Sequence, residues 1–244
     1  MGTAVLTQAF AYVDLVDFTG LSEDLRLACT AEQREWTNFR SGGWREFKNV
    51  LKTSALDTGS FWSSDSATDL DAQTFAALGT ANTAITAGLD ETEDTYAYFM
   101  RGMVPSYTWL EGSVGDIAKA KVQAVGSDGA TGVVRGKLAK EYGTVSTTGA
   151  KGTALNLGAV GAAQRLYATF HIFGTPGTTI TAIVESDSDN TFGSPTTRIT
   201  FGPHTTAGGR WATPVAGSIT DTWWRLNVTA ITGSFVIAAA IGIQ

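Results

Sequence analysis

Alternation of polar and apolar side chains is the feature that most restricts how this chain can fold. In residues 117–125, lysine and glutamine alternate with alanine and valine. A period of two is that of a β-strand with one buried face. Asp128 and Gly129 follow, and an Asp-Gly pair provides the positive φ of a tight turn. The pattern therefore predicts a hairpin whose return strand covers residues 132–139.

The last third of the chain contains the same kind of pattern. Five segments bounded by Gly, Pro, Asp or Asn are typical of strands: residues 165–173, 178–185, 196–201, 222–231 and 234–243. In the fourth of them, Trp224, Leu226 and Val228 are expected to face inward, since they share one side of the strand. Short strands at regular spacing predict a compact β-sandwich.

One segment has the pattern of a helix. Asp69 or Asp71 is placed to accept hydrogen bonds from the first free amides. Phe75 and Leu78 then lie on one helix face, and Gly79 suits the left-handed conformation that ends many helices.

The predicted fold class is all-β with one short helix. We expect a β-sandwich or barrel in residues 1–150, with its flanking helix at about residues 70–78. A second β-sandwich would follow in residues 151–244. The small, polar residues 144–154 are expected to form a flexible link between the two.

Composition and charge exclude several classes of protein. Of the 244 residues, 16% are charged, which disfavours a disordered tail or a charged coiled coil. No uninterrupted apolar run is long enough to span a bilayer, and no basic flank precedes an apolar stretch as in a signal peptide. The net charge of −6 disfavours a protein that holds nucleic acid. A single cysteine, Cys29, excludes an internal disulfide framework.

The sequence contains no pattern that is typical of an enzyme. No Asp or Glu lies at a spacing from His171 or His204 that is typical of a catalytic pair. The Gly-x-Ser-x-Gly nucleophile elbow is also missing. We interpret His171 as an ordinary strand position, His204 as a loop residue and Cys29 as a small buried hydrophobe. We therefore predict no catalytic residue and no cofactor. The alternative of a β-sandwich hydrolase would need acids or histidines to converge in a cleft.

Two clusters of acidic residues have the composition of a cation site. Residues 90–94 fit a cation site, a contact with a basic loop on another subunit, or a solvated loop. Residues 185–190 place oxygen donors at alternate positions, as calcium sites often do, but lack the glycine and distal glutamate of an EF-hand. Because Asp and Asn also form ordinary turns, we predict no metal site.

Residues 36–52 combine two tryptophans, two phenylalanines and four cations around Gly42 and Gly43. Aromatic residues and arginine dominate protein interfaces, which favours a contact with another subunit. One alternative is a β-hairpin tip whose aromatics fold back on their own domain. A second is a stacking surface for single-stranded nucleic acid. The ten acids of residues 53–116, against Arg101 as the one base, count against the second.

A longer sequence motif surrounds this segment. It is carried by Thr37, Phe39, Ser41, Gly43, Trp44, Arg45, Leu51, Lys52, Gly59 and Phe61. With the helix near residues 71–78, the run 98–107 and Gly115-Asp116-Ile117 before a strand, it resembles the major tail tube proteins of long-tailed bacteriophages. Residues 155–225 resemble the extra C-terminal β-domain that some of these proteins carry.

The resemblance implies hexameric rings that stack into a hollow tube for DNA delivery. A long loop between early strands would reach an adjacent subunit, and residues 36–57 fit that loop. The implied inter-subunit contact residues are Trp36, Phe39, Arg40, Trp44, Arg45, Phe47 and Lys48. The implied partners are further copies of the chain, a tape measure protein and a tail terminator protein. DNA would pass through the lumen without specific binding, with no membrane involved, in a virion tail assembled in the host cytoplasm.

A carbohydrate-binding or adhesion module is the alternative function. Outward-facing Tyr167, Trp211 and Trp223 would then form a sugar-stacking platform on the outer surface. Glycan binding by residues 151–244 would support this alternative, which is compatible with a role in a tube.

Overall fold

The computed structural model describes residues 8–67, 69–127, 129 and 131–244, without the side chain of Val50. Within these residues it contains one α-helix, α1 (Leu70–Ala77), and strands that make up most of the rest. The strands are β1 (Phe10–Val13), β2 (Val16–Asp17), β3 (Ser22–Glu35), β4 (Phe47–Phe61), β5 (Ala81–Gly88), β6 (Tyr96–Glu111), β7 (Lys119–Gly126), β8 (Val134–Val145), β9 (Gly149–Asn156), β10 (Arg165–Phe173), β11 (Thr179–Asp187), β12 (Thr196–His204), β13 (Gly208–Trp211), β14 (Val215–Ala216), β15 (Trp223–Thr232) and β16 (Phe235–Ile243). The all-β class with one short helix is confirmed.

The strands form two antiparallel sheets. The larger sheet has 12 strands, and its main path follows the order β13-β10-β16-β8-β6-β5-β1-β2. β6 is 16 residues long, so one part of it pairs with β5 and β8 while the rest continues alongside β7. β7 adjoins β4, and β4 adjoins β3. The smaller sheet has four strands in the order β12-β11-β15-β9.

The main hydrophobic core lies between the two sheets. It joins side chains of β8, β10 and β16 to side chains of β9, β11, β12 and β15. Trp224 is fully buried in it, and its Nε1 donates a hydrogen bond to the carbonyl oxygen of Gly158 at 3.0 Å. Leu226 and Val228 are also fully buried, which confirms the inward face predicted for β15.

The strand positions in the last third are confirmed, but the predicted hairpin is wrong. β10 has the predicted bounds, and β11, β12, β15 and β16 lie within a few residues of theirs. β7 and β8 pair in turn with successive parts of β6, and neither pairs with the other. The Asp-Gly turn predicted between them includes Asp128, which lies outside the described residues.

The segment expected to be a flexible link is mostly strand. β8 continues to Val145 and β9 begins at Gly149, where it pairs with β15. Backbone hydrogen bonds hold the residues of β9 in the smaller sheet, although many of their side chains are small or polar. β16 pairs with β8, so the larger sheet contains strands from both sides of residue 150. The division into residues 1–150 and 151–244 stays a prediction.

The helix is confirmed to within one residue, and its N-cap differs from the prediction. Gly79 has φ +77°, the left-handed conformation expected after a helix. Asp69 occupies the N-cap position but makes no side-chain bond to the helix amides. Asp71 instead accepts hydrogen bonds from aromatic side chains. Among the described residues, no helix is both long and apolar enough to cross a membrane.

A buried polar network joins the larger sheet to the turn after β1. His171 of β10 is fully buried, with Nε2 2.9 Å from Thr86 Oγ1 and Nδ1 2.9 Å from the carbonyl oxygen of Asp14. The Asp14 carboxylate accepts hydrogen bonds from Thr83 Oγ1 and from the Gly209 N–H, both at 2.7 Å. The network therefore ties together three separate strands, β5, β10 and β13.

Candidate inter-subunit arm

β3 and β4 form a long hairpin that extends beyond the body of the larger sheet. The two strands pair from Ser22 opposite Ser60 to Glu35 opposite Phe47. β4 pairs with β7 only over residues 55–61, and no further strand pairs with the remainder among the described residues. We call residues 29–54 the arm. Its β4 side has eight residues beyond β7, or about 25 Å at the usual rise of a strand.

Both faces of the arm are exposed. Among the described side chains from Cys29 to Thr53, only Ser41 is buried. A strand that covers a core buries every second side chain, and this alternation is missing here. The arm therefore adds no face to the core of its own chain.

The tip of the arm is held by local hydrogen bonds. The Asn38 Oδ1 accepts from the Arg40 N–H at 2.9 Å, and the Ser41 Oγ accepts from the Asn38 N–H at 3.1 Å. Asn and Ser form such side-chain turns readily. Gly42 and Gly43 have φ of +60° and +86°, which only glycine adopts without strain. The sequence Asn-x-x-Ser-Gly-Gly thus folds into an ordered tip.

The aromatic side chains of the arm point into solvent. Trp36 is 60% exposed, Trp44 81%, Phe47 55%, and Phe39 completely. The Lys48 Nζ lies 4.4 Å from the centroid of the Trp36 ring, within the range of a cation–π contact. The hairpin tip of the first alternative is thus present, but its aromatics do not fold back on their own domain, so that alternative is wrong.

The structure brings the seven predicted contact residues together. Trp36, Phe39, Arg40, Trp44 and Arg45 lie in the turn, while Phe47 and Lys48 begin β4. The predicted loop of residues 36–57 is therefore a turn followed by strand, and only its last three residues pair with β7. An exposed cluster of aromatics and cations on a strand pair with free edges has the composition of a binding surface.

The acidic residues 90–94 are bound by their own chain. Glu91 accepts a hydrogen bond from the Tyr12 hydroxyl at 2.6 Å, and burial raises the pKa of the Glu91 carboxyl. Asp94 and Glu93 pair with lysines of β8, at 2.5 Å to Lys137 and 3.3 Å to Lys140. These contacts fasten the β5–β6 loop to the sheet, while Thr92 and Asp94 stay exposed, as expected of a solvated loop.

The acidic residues 185–190 are satisfied in the same way. Glu185 is buried and accepts from the Arg225 Nε at 2.5 Å. Asp187 accepts from the backbone N–H of Ser194 at 3.0 Å and of Ser188 at 2.6 Å, and these hydrogen bonds lower its pKa. Within the described residues, no group of three His, Cys, Asp or Glu side chains is placed to hold a metal ion.

The candidate groups for catalysis are not assembled into a site. His171 makes its hydrogen bonds to Thr86 and Asp14 in the core, and burial lowers its pKa to about 4. Burial also lowers the pKa of His204 at the end of β12. Cys29 is exposed at the base of the arm, so its interpretation as a buried hydrophobe is wrong. At Cys29, β3 no longer covers the core.

The three aromatics predicted for an outer sugar platform do not share one exposed face. Tyr167 is only 6% exposed, with its ring centroid 6.0 Å from that of half-buried Trp211. Trp211 also packs against Phe99, at 6.0 Å. Trp223 lies on the smaller sheet, whereas the other two belong to the larger one. Tyr167 was expected to face outward, but the pleat of β10 turns it toward the core.

A second exposed aromatic cluster was missed by sequence reasoning. Phe75 of α1 and Trp109 of β6 contact each other edge to face, with ring centroids 6.1 Å apart, and both are exposed. The helix was predicted with Phe75 and Leu78 on one face, but the pattern did not show that this face would stay uncovered.

No protein-family model and no curated protein sequence matches the chain. Solved structures give remote similarities. A chain from the virion of a native gene transfer agent particle is 14% identical at a TM-score of 0.42, over 52% of this chain and 95% of that one. A chain from the sheath/tube terminator of the PVC extracellular contractile injection system is 12% identical at 0.43, over 55% and 97%. The phage SPP1 Dit protein, described as a hub of the adsorption apparatus, is 12% identical at 0.36, over 97% and 99%.

Proposed function

We propose that this chain is a structural protein of a phage-like tail, which joins copies of itself into hexameric rings that stack as a hollow tube. Its working unit is the polymer, and its role is to form a conduit for DNA without catalysing a reaction. The observation that carries the proposal is the arm, an ordered hairpin with four large aromatic side chains in solvent.

The arm supports self-assembly because it is unsuited to a monomer. An exposed hairpin with free edges and aromatic side chains is an aggregation hazard unless a partner covers it. Within the described residues, no strand pairs with the outer edge of β3 along the arm. Closure of identical subunits into a ring removes such edges.

The overall charge supports a conduit rather than a nucleic-acid binder. The chain carries a net charge of −6, and a negatively charged bore would repel the phosphates of passing DNA. A cluster of lysine and arginine side chains facing the bore of an assembled tube would contradict this part of the proposal.

The remaining assignments follow the resemblance to tail tube proteins. The proposed partners are other copies of the chain, a tape measure protein and a tail terminator protein. The proposed location is the tail of the virion, with assembly in the host cytoplasm. The four-stranded sheet, within residues 149–232, is the part proposed to lie on the outside of the tube.

Deletion of residues 38–48 tests the proposal. We expect the wild-type chain to form rods with a central hole in negative-stain electron microscopy, and the deleted chain to stay as folded, soluble subunits. As a matched pair that keeps the backbone, Trp44→Ala should shorten the rods, whereas Trp44→Phe should leave them nearly unchanged.

Three results would count against the proposal in different ways. Rods of normal length from the deleted chain would refute the role of the arm. Closed rings that never stack would refute the tube but leave the ring. A wild-type chain that stays monomeric in sedimentation at high concentration would refute self-assembly altogether.

A further inference from the structure

An exposed aromatic surface lies on α1 and the neighbouring end of β6. The helix packs through Leu70, Thr74 and Ala77, which turns its other side to solvent. This surface, which we call the α1/β6 patch, is centred on Phe75 (60% exposed) and Trp109 (44%), whose rings contact each other, and their neighbours in the chain Leu78 (41%) and Leu110 (61%) are exposed as well. Val114 and Ile117, in the connection between β6 and β7, are more exposed still.

The patch is held in place before any partner binds. Trp109 stacks on Tyr107 with ring centroids 5.2 Å apart, in addition to its contact with Phe75. The Tyr107 hydroxyl donates to Asp71 at 2.9 Å, and burial together with this carboxylate raises the pKa of Tyr107. A preformed aromatic surface loses little conformational entropy on binding.

The patch and the arm carry opposite charge. Residues 65–78 and 107–118, which contain the patch, have five acids and no base, and four of these acids remain after Glu111 pairs with a lysine of β7. The nearest lysines of β7 are already paired, Lys119 with Glu23 at 2.6 Å and Lys121 with Glu111 at 2.8 Å. Residues 34–52 of the arm have five bases and two acids. Complementary charge of this kind steers association and fixes orientation.

We propose that the α1/β6 patch is the docking surface for the arm tip of a second copy of this chain. The inference rests on the proposed function, which assigns the arm to self-assembly, and it names the surface that receives the arm. Trp44 and Phe39 would lie against Trp109 and Phe75, while Arg40 and Arg45 would face the acids around them.

The two surfaces lie at opposite ends of the hairpin, so a chain cannot dock its own arm. Phe61, at the far end of β4, is opposite Lys119 of β7, which in turn pairs with Glu111 beside the patch. Phe47, where the tip begins, is 14 residues from Phe61, which corresponds to about 45 Å along the strand. The contact is therefore head to tail, and repeating it adds one copy after another in the same direction.

Mixing two complementary variants tests the docking. The arm variant carries Phe39→Ser and Trp44→Ser, and the patch variant carries Phe75→Ser and Trp109→Ser. Each alone is expected to lose long polymers. At high protein concentration, which a single contact requires, the equimolar mixture is expected to form a complex with both chains in equal amounts and twice the mass of either variant alone, because one intact arm meets one intact patch. The conservative pair Phe75→Tyr and Trp109→Phe should assemble like the wild type.

Charge exchange provides a second test that leaves the aromatics in place. Arg40→Glu with Arg45→Glu should abolish assembly, as should Asp65→Arg with Asp116→Arg. All four changes in one chain should restore it. These variants decide the question if a serine variant fails to fold.

The outcomes separate the docking from the proposed function. If the patch variants polymerise like the wild type, or if neither mixing nor charge exchange restores a contact, the docking surface is wrong although self-assembly through the arm stands. If the wild-type chain shows no self-association at all, both the docking and the proposed function fail.

Discussion

His171 should make the stability of the fold depend on pH well above the range in which most carboxylates titrate. The carbonyl oxygen of Asp14 can only accept, so Nδ1 carries the proton and Nε2 accepts from the Thr86 hydroxyl. Burial lowers the pKa of His171 to about 4, against an ordinary value near 6.5. The folded protein therefore keeps this ring neutral where the unfolded chain would protonate it.

The sign and size of the effect follow from this difference. Between pH 6.5 and pH 4 the unfolded chain binds more protons than the folded one, so the free energy of unfolding falls as the pH falls. At 1.36 kcal/mol for each pKa unit, the loss reaches about 2 kcal/mol at pH 5 and about 3 kcal/mol at pH 4. More than about one pH unit below 4, both states are protonated and this contribution changes no further.

Urea unfolding of the arm variant from pH 7 to pH 4 measures the effect without a contribution from assembly. His171→Gln in the same background should be less stable at pH 7, because it disturbs a buried network, yet should lose about 3 kcal/mol less on acidification. His204→Gln is the matched control, since His204 is the one other histidine. Its free energy of unfolding should keep most of the parent's dependence on pH. Parallel curves for the parent and for His171→Gln would refute the reasoning.

Two further predictions concern packing between and within the sheets. Trp224→Ala should lower the free energy of unfolding by about 4 kcal/mol, because the side chain is fully buried, whereas Trp223→Ala should change it far less. Gly136→Ala should lower it by about 3 kcal/mol, because a Cβ there would lie 2.2 Å from the Ile241 carbonyl oxygen. Gly143→Ala in the same ladder, with its nearest neighbour the flexible Lys140 Nζ at 3.5 Å, should be nearly neutral. Thermal or urea unfolding checks both pairs, and equal effects within a pair would contradict the structure.

The strands could be predicted because their signal is local. In β15, Trp224 and Leu226 alternate with half-exposed neighbours, and that period of two is sufficient to place the strand and its inner face. The pairing of strands is not local. Nothing near β7 or β8 indicates that both pair with β6, so the predicted hairpin between them was wrong. The prediction of a flexible link at residues 144–154 was wrong for the same reason, because β9 is held by hydrogen bonds to β15, which lies far along the chain.

The candidate contact surfaces also differ in how far the sequence predicts them. The arm could be predicted because aromatics, cations and two glycines occur within a few residues of one another. The patch could not, because exposure of Phe75 and Trp109 depends on which helix face meets β6. Tyr167 shows the opposite case, a residue assigned to the surface that β10 places in the core.

The energetics of one arm explain how subunits could stay soluble and still build a durable polymer. Burial of a large aromatic side chain contributes about 2 kcal/mol, so the four aromatics of an arm would contribute about 8 kcal/mol. Loss of translational and rotational freedom on association costs about 4–15 kcal/mol, so a single arm–patch contact between two free chains would be weak. When head-to-tail contacts close into a ring, the closing contact would form between chains that are already joined, so it would be intramolecular. If the proposed hexameric ring is right, assembly should show a sharp dependence on concentration, and Trp44→Ala, which is expected to weaken every contact, should shift that threshold by more than tenfold.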